Sequence, residues 1–192
     1  MKLKIFDLVA PIYPFFEKLL FSSTREKMIE EMDLSKVDKV LDVGGGTGML
    51  LEMILKERSD VDVYLLDESK GMMQKAPFLH NKVRGKACRT PFVSNSFDLV
   101  LCVDALHHFE NKAGSLKEMV RVLKPEGEIL ILELDPRSPL TKFVEFGEKL
   151  VEEPSYFFEP EVLEKFFSSR EFQTSIKKLH PYDYILQVKK SE

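Results

Sequence analysis

Four glycines, Gly44, Gly45, Gly46 and Gly48, crowd into the stretch KVLDVGGGTGMLLEMI, directly after a short apolar run. Glycine removes the side chain and permits positive backbone dihedrals, so such a loop lets a ligand touch main-chain N–H groups. If a helix follows, its first turn adds unpaired donors to the same place. A tight turn for close helix–sheet packing accounts for one or two glycines, not for all four. Two acids flank the loop in sequence. Asp42 precedes it, and Asp67 ends the next apolar run, where ribose hydroxyls are accepted in open parallel sheets. A dinucleotide fingerprint, G-x-G-x-x-G/A, would put Met49 at its third small position, which argues against a nicotinamide cofactor. A third group, Asp104, His107 and His108 in CVDALHHF, offers a general base or a substrate contact, or simply hydrogen bonds within a loop–helix cap.

These residues need a frame, and the apolar pattern supplies one. Runs at 39–43, 61–67, 97–103 and 128–134 have the length and β-branched content of strands buried on both faces. A weaker strand is expected over 81–87. Between them, Met49, Leu50, Met53, Ile54 and Leu55 form one helical stripe, and Leu116, Met119, Val120 and Leu123 another. The KPEG sequence at 124–127 reads as a helix stop and a turn. Strand–helix alternation implies a parallel sheet with helices on both sides. Residues 1–35 read as amphipathic helices rich in Phe and Met. Helices are expected over 139–152 and 159–167, the second with Pro160 at its first position, and the last two runs, near 172–179 and 182–190, as an antiparallel hairpin.

Composition narrows the class. The chain has 192 residues, 44% hydrophobic and 31% charged, which suits one soluble domain. A net charge of −4 argues against general nucleic-acid or membrane-surface binding. Cys88 and Cys102 are the only cysteines and form no metal spacing, so neither a disulfide scaffold nor a metal site is expected. Asp7, two prolines, Glu17 and Lys18 interrupt the apolar start, leaving no signal-peptide core and no membrane span. The expected compartment is the cytoplasm. Oligomeric state is not legible.

In order along the chain, VLDVGGGTG, VYLLDESKGMM, TPFVSNSFDLVLCVDALHHF and MVRVLKPEGEILILE resemble the successive motifs of class I S-adenosylmethionine-dependent methyltransferases, covering about residues 39–135. FDLVAPIYPFFEKL is similar to the opening of the ubiquinone/menaquinone-biosynthesis branch, with Phe6, Asp7, Ala10 and Tyr13 matching and Pro14 replacing its second acid. The resemblance implies a Rossmann-like fold: a mostly parallel seven-stranded sheet, helices on both faces and an antiparallel C-terminal hairpin, in a single domain over 1–192. It divides the chain into an N-terminal helical cap (1–35), a cofactor-binding core (39–135) and a substrate-cap segment (136–158).

It further implies S-adenosylmethionine as cofactor and a small-molecule methyl acceptor, partly apolar or aromatic; the rival is a cofactor- or partner-binding protein without catalysis. Gly44, Gly46 and Gly48 would approach the methionine part, with Asp42 reaching its ammonium. Asp67 would accept the ribose hydroxyls, Met72 pack on the adenine, Ala87 offer its N–H to that ring, and Cys102 complete the set. Lys86 stands where the family places an acid for the adenine amino group, and a lysine has no acceptor. The Asn/Asp-Pro-Pro-aromatic motif of nucleobase methylation is absent after the fourth strand. If the acceptor must lose a proton, His108 is the first choice of base and Asp104 the second. Aromatic residues at 6, 13, 15 and 16 and at 143, 146 and 156–158 are candidates to cover the acceptor.

Overall fold

The computed structural model describes residue 11 and residues 23–150, 155–168 and 171–190, with no side chain described at 150. The expected aromatic cap residues Phe6, Tyr13, Phe15 and Phe16 lie outside these. Helix α1 occupies 23–30. It is followed by β1 (Lys39–Val43), α2 (Met49–Glu57), β2 (Asp62–Asp67), α3 (Lys70–Met73), β3 (Lys82–Arg84) and β4 (Phe97–Val103). Then come α4 (Lys112–Val122), β5 (Leu123–Leu134), α5 (Pro139–Leu150), α6 (Pro160–Phe166), β6 (Phe172–His180) and β7 (Asp183–Lys190).

All seven strands form one sheet in the order β3-β2-β1-β4-β5-β7-β6. The first five pair parallel, and β7 pairs antiparallel with both β5 and β6. Winding reverses between β1 and β4, so a crevice opens beyond their carboxyl ends, where ligands bind in such sheets.

Side-chain alternation divides the core into two layers. Leu41 and Val43 of β1 join Val100, Ile131 and Leu186 beneath α4 and α6, with Leu116, Met119 and Leu163. Val40 joins Val63, Leu99, Leu130 and Ile185 beneath α2, with Leu50, Leu51, Ile54 and, from α1, Met28. Helices therefore cover both faces, as the apolar runs require.

The expected KPEG turn takes a different form. β5 begins at once after α4: Leu123 pairs with Phe97, and the next partners are Glu128 and Leu99. Residues 124–127 are thus extra residues opposite a single β4 position, and the excursion stays within the strand as a bulge. The third strand is shorter than expected, Lys82–Arg84. Among the described residues no helix is long and apolar enough to cross a membrane.

Candidate functional site

At the carboxyl end of β1, Asp42 is buried and the chain turns sharply. Gly44, Gly46 and Gly48 adopt φ of 78°, 53° and 76°, which L side chains rarely adopt. The Gly44 N–H donates to the Leu66 carbonyl at 2.7 Å, tying the loop to β2. A Cβ at Gly44 would stand 2.7 Å from the Ala105 Cβ, just after β4. Gly45 is likewise closed off by Asp42 and Leu65, and Gly48 by Leu79 and Ala76. Close packing therefore explains more of the glycines than the sequence suggested. Gly46 is different: a Cβ there would meet nothing within 4 Å. The loop is open at that residue.

Asp67 closes the loop from the side. Its Oδ2 accepts from the Gly46 N–H at 2.9 Å and its Oδ1 from the Ser69 N–H at 2.7 Å. The Gly46 N–H, expected to face a ligand, is thus turned toward Asp67. Ser69 caps α3 by accepting from the Met72 N–H at 3.1 Å, and Met72 itself is buried. Ala87 is buried nearby in sequence, whereas Lys86 reaches outward to Glu110 at 2.7 Å, and both of these side chains are exposed. Its bond to Glu110 raises the Lys86 pKa. Cys102 is fully buried in the layer beneath α4, where burial first, then Glu133, pushes its thiol well up. Its thiol has no exposed surface and packs within that layer.

Beyond β4 the chain takes a second strained turn. Asp104 has φ 49°, and the 3₁₀ turn Leu106–His108 follows. Arg25 of α1 approaches the Asp104 carboxylate to 3.7 Å. Burial pushes Asp104 up to about 6, against the pull of Arg25. His107 points into the structure: its Nδ1 lies 2.7 Å from Glu133 Oε2, and its ring stacks on Phe157 at 4.3 Å. Burial alone would lower the His107 pKa, but the charge and hydrogen bond of Glu133 outweigh it and leave it raised. His108 goes the other way. Burial, then the charges of His107 and Lys112, lower it to about 2. Glu148 of α5 faces both rings, its Oε1 3.8 Å from His107 Nε2 and 3.7 Å from His108 Nε2.

Sequence reasoning brought Asp104, His107 and His108 together correctly in one turn but missed Arg25, Glu133, Glu148 and Phe157 beside them. Glu133 left a signal: it is an acid within 129–134, a stretch otherwise apolar on both faces, and it is 0% exposed. Glu148, on a solvent-facing helix, left none.

A family model described as a methyltransferase domain matches residues 41–131. A demethylmenaquinone methyltransferase from Thermotoga maritima is 29% identical over 147 residues, covering 73% of this chain and 63% of that protein. The ubiquinone/menaquinone biosynthesis C-methyltransferase UbiE of Geotalea daltonii is 30% identical over 154 residues, covering 72% and 66% respectively. The chain thus matches slightly under two thirds of the length of these relatives. An S-adenosylmethionine-dependent methyltransferase structure from Thermotoga maritima shares the fold with a TM-score of 0.78 at 21% identity, over 97% of this chain and 99% of that one.

Proposed function

The chain belongs to the class I S-adenosylmethionine-dependent methyltransferases, and from that premise we propose that it methylates a small-molecule acceptor. One observation carries the reading: the loop is open at Gly46, directly against the Asp67 carboxylate and within packing distance of the β4 turn. These residues fit the cofactor. Asp67, at the end of β2, is the carboxylate placed to accept the ribose hydroxyls, in charge-assisted bonds stronger than neutral ones. Gly46 keeps a side chain out of the approach, Gly44 and Gly48 let the loop pack closely and turn toward the methionine part, Asp42 carries the negative charge for the ammonium, Met72 packs against the adenine, and Ala87 offers it a backbone N–H. When bound, S-adenosylmethionine supplies an already activated methyl group. The protein's task is then to align the acceptor and exclude water.

Asp104 is the residue proposed to take a proton from the acceptor. A carboxylate titrating at about 6 is better matched to that task near neutrality than one at its ordinary value. His108, at about 2, holds a neutral imidazole that is a poor proton acceptor, so the first choice made from sequence gives way to the second. Residues 1–35 and 136–158 are the proposed acceptor cover, and exposed Phe143, Phe146 and Tyr156 suit an apolar or aromatic molecule. The names of the relatives, demethylmenaquinone and ubiquinone/menaquinone methyltransferases, make quinols the first acceptors to try.

The test is transfer of labelled methyl from S-adenosylmethionine to a panel of quinols, phenols, acids and amines. Binding of the donor and its demethylated product is followed by calorimetry. Donor binding with turnover of one acceptor class supports the reading. Failure of the donor to bind at millimolar concentration rejects it.

A further inference from the structure

The β4 turn and α5 bring together three side chains that a proton-transfer role for Asp104 leaves unused. The ligand atoms of His107, His108 and Glu148 lie within 4.8 Å of one another. One carboxylate oxygen, Glu148 Oε1, stands almost equally far from two imidazole nitrogens, at 3.8 Å and 3.7 Å. A tetrahedral ion with bonds of about 2.0–2.2 Å sets its ligand atoms about 3.3–3.6 Å apart, so the two distances to Glu148 need to close by only a few tenths of an ångström. We infer that His107, His108 and Glu148 bind a single divalent cation of the zinc class.

The surroundings of the cluster support this. His107 Nδ1–H donates to Glu133 Oε2 at 2.7 Å, while the Glu133 Oε1 accepts the His107 backbone N–H at 3.3 Å. A carboxylate behind a histidine fixes the ring's orientation and leaves Nε2 to face the metal, which is how metal-bound histidines are held. Phe157 lies against one side of that ring, and the His108 ring sits 4.0 Å from it, tilted by 51°. Both rings are therefore held by contacts other than the proposed ion. Glu133 and Glu148 bring two carboxylates to a mostly buried place, with side chains 1% and 19% exposed, and a dication suits that charge. Two nitrogens and one oxygen favour zinc, cobalt or nickel over magnesium or calcium, which prefer all-oxygen sets. Three protein ligands also leave a position for an oxygen of the acceptor. That last role rests on the methyltransfer reading; the ion site itself does not.

The experiment uses the full chain freed of metal by a chelator and dialysed. Cobalt(II) is titrated while its visible absorption is recorded, zinc(II) is titrated by calorimetry, and magnesium serves as the competitor. The expected result is one equivalent bound at micromolar concentration or tighter, with tetrahedral cobalt bands, unaffected by millimolar magnesium. Glu148→Gln and His108→Ala should each weaken binding by about 10–100-fold. His80→Ala, on an exposed histidine away from the cluster, should leave it unchanged. Circular dichroism checks that each variant is folded; His108→Asn replaces His108→Ala if the latter is not. No saturable binding below 100 equivalents, or equal binding by the cluster variants, overturns the inference. S-adenosylmethionine binding is measured on the same metal-free sample. If the donor binds but no metal does, only the ion site is overturned; if metal binds but the donor does not, only the methyltransfer reading is.

Discussion

Gly46 and Asp67 divide the work at the loop: one leaves a space and the other borders it. A valine at 46 fills the open side and strains a φ of 53°, at a cost of about 1–2 kcal/mol. Gly46→Val is therefore expected to stay folded by circular dichroism yet bind S-adenosylmethionine at least about 100-fold more weakly by calorimetry. Normal binding would place the site elsewhere. Asp67→Ala should weaken the donor by roughly 2–3 kcal/mol, and it also leaves the Gly46 and Ser69 N–H groups without their acceptor. Asp104 gives a prediction with a definite sign. Its folded pKa, about 6, lies above the ordinary carboxylate value, so between the two the native state holds the proton that the unfolded state has lost. Stability from this group therefore falls as pH rises from about 4 to about 6, and is level above. Asparagine cannot titrate and tolerates the left-handed turn. The stability of Asp104→Asn relative to the parent, from urea melts, should rise across that window and then flatten. A difference independent of pH would show that Asp104 titrates elsewhere.

At the scale of elements, periodicity carried most of the fold. β1 and β4 begin and end where their apolar runs do, because both are central strands buried on two faces. The glycine loop, Asp67 and the β4 turn were legible for the same reason: each follows directly on a strand end. What was not legible depends on contacts distant in sequence. Glu133 reaches His107 across the β4–β5 pair, and Glu148 reaches both histidines from α5; no local spacing encodes either meeting. The KPEG bulge was misread because proline and glycine signal a stop but not whether pairing resumes in the same strand. Two glycines test that reading of local geometry. A Cβ at Gly127, inside the bulge, would stand 2.9 Å from the Asp98 carbonyl oxygen, a backbone atom that cannot swing aside. Gly127→Ala should cost about 1–3 kcal/mol. Gly147 lies in α5 with nothing within 4 Å of such a Cβ, and Gly147→Ala should gain about 0.5–1 kcal/mol by reducing the freedom of the unfolded chain. Equal effects in urea melts would reject both assignments.

For the molecule as a whole, the reversal of winding between β1 and β4 couples the site to global stability. The glycine loop is bound to β2 through Gly44 and Leu66, packed against the β4 turn at Ala105, and braced by Leu79 and Ala76 beyond α3. Through these strands it touches both core layers, so the loop cannot loosen without disturbing the sheet. A ligand held there binds the native state and not the unfolded chain, and its binding energy adds to folding stability by mass action. S-adenosylmethionine or its demethylated product at about 100 times its dissociation constant should add roughly 2.7 kcal/mol. For a protein of this size each kcal/mol moves the melting temperature by about 2–4 °C, so the expected rise is roughly 5–11 °C. NAD should give none, because Met49 occupies the small-residue position of a dinucleotide turn. Gly46→Val should lose the ligand-induced rise while keeping cooperative melting. A rise with NAD, or an undiminished rise in Gly46→Val, would mean that the loop does not hold the methyl donor.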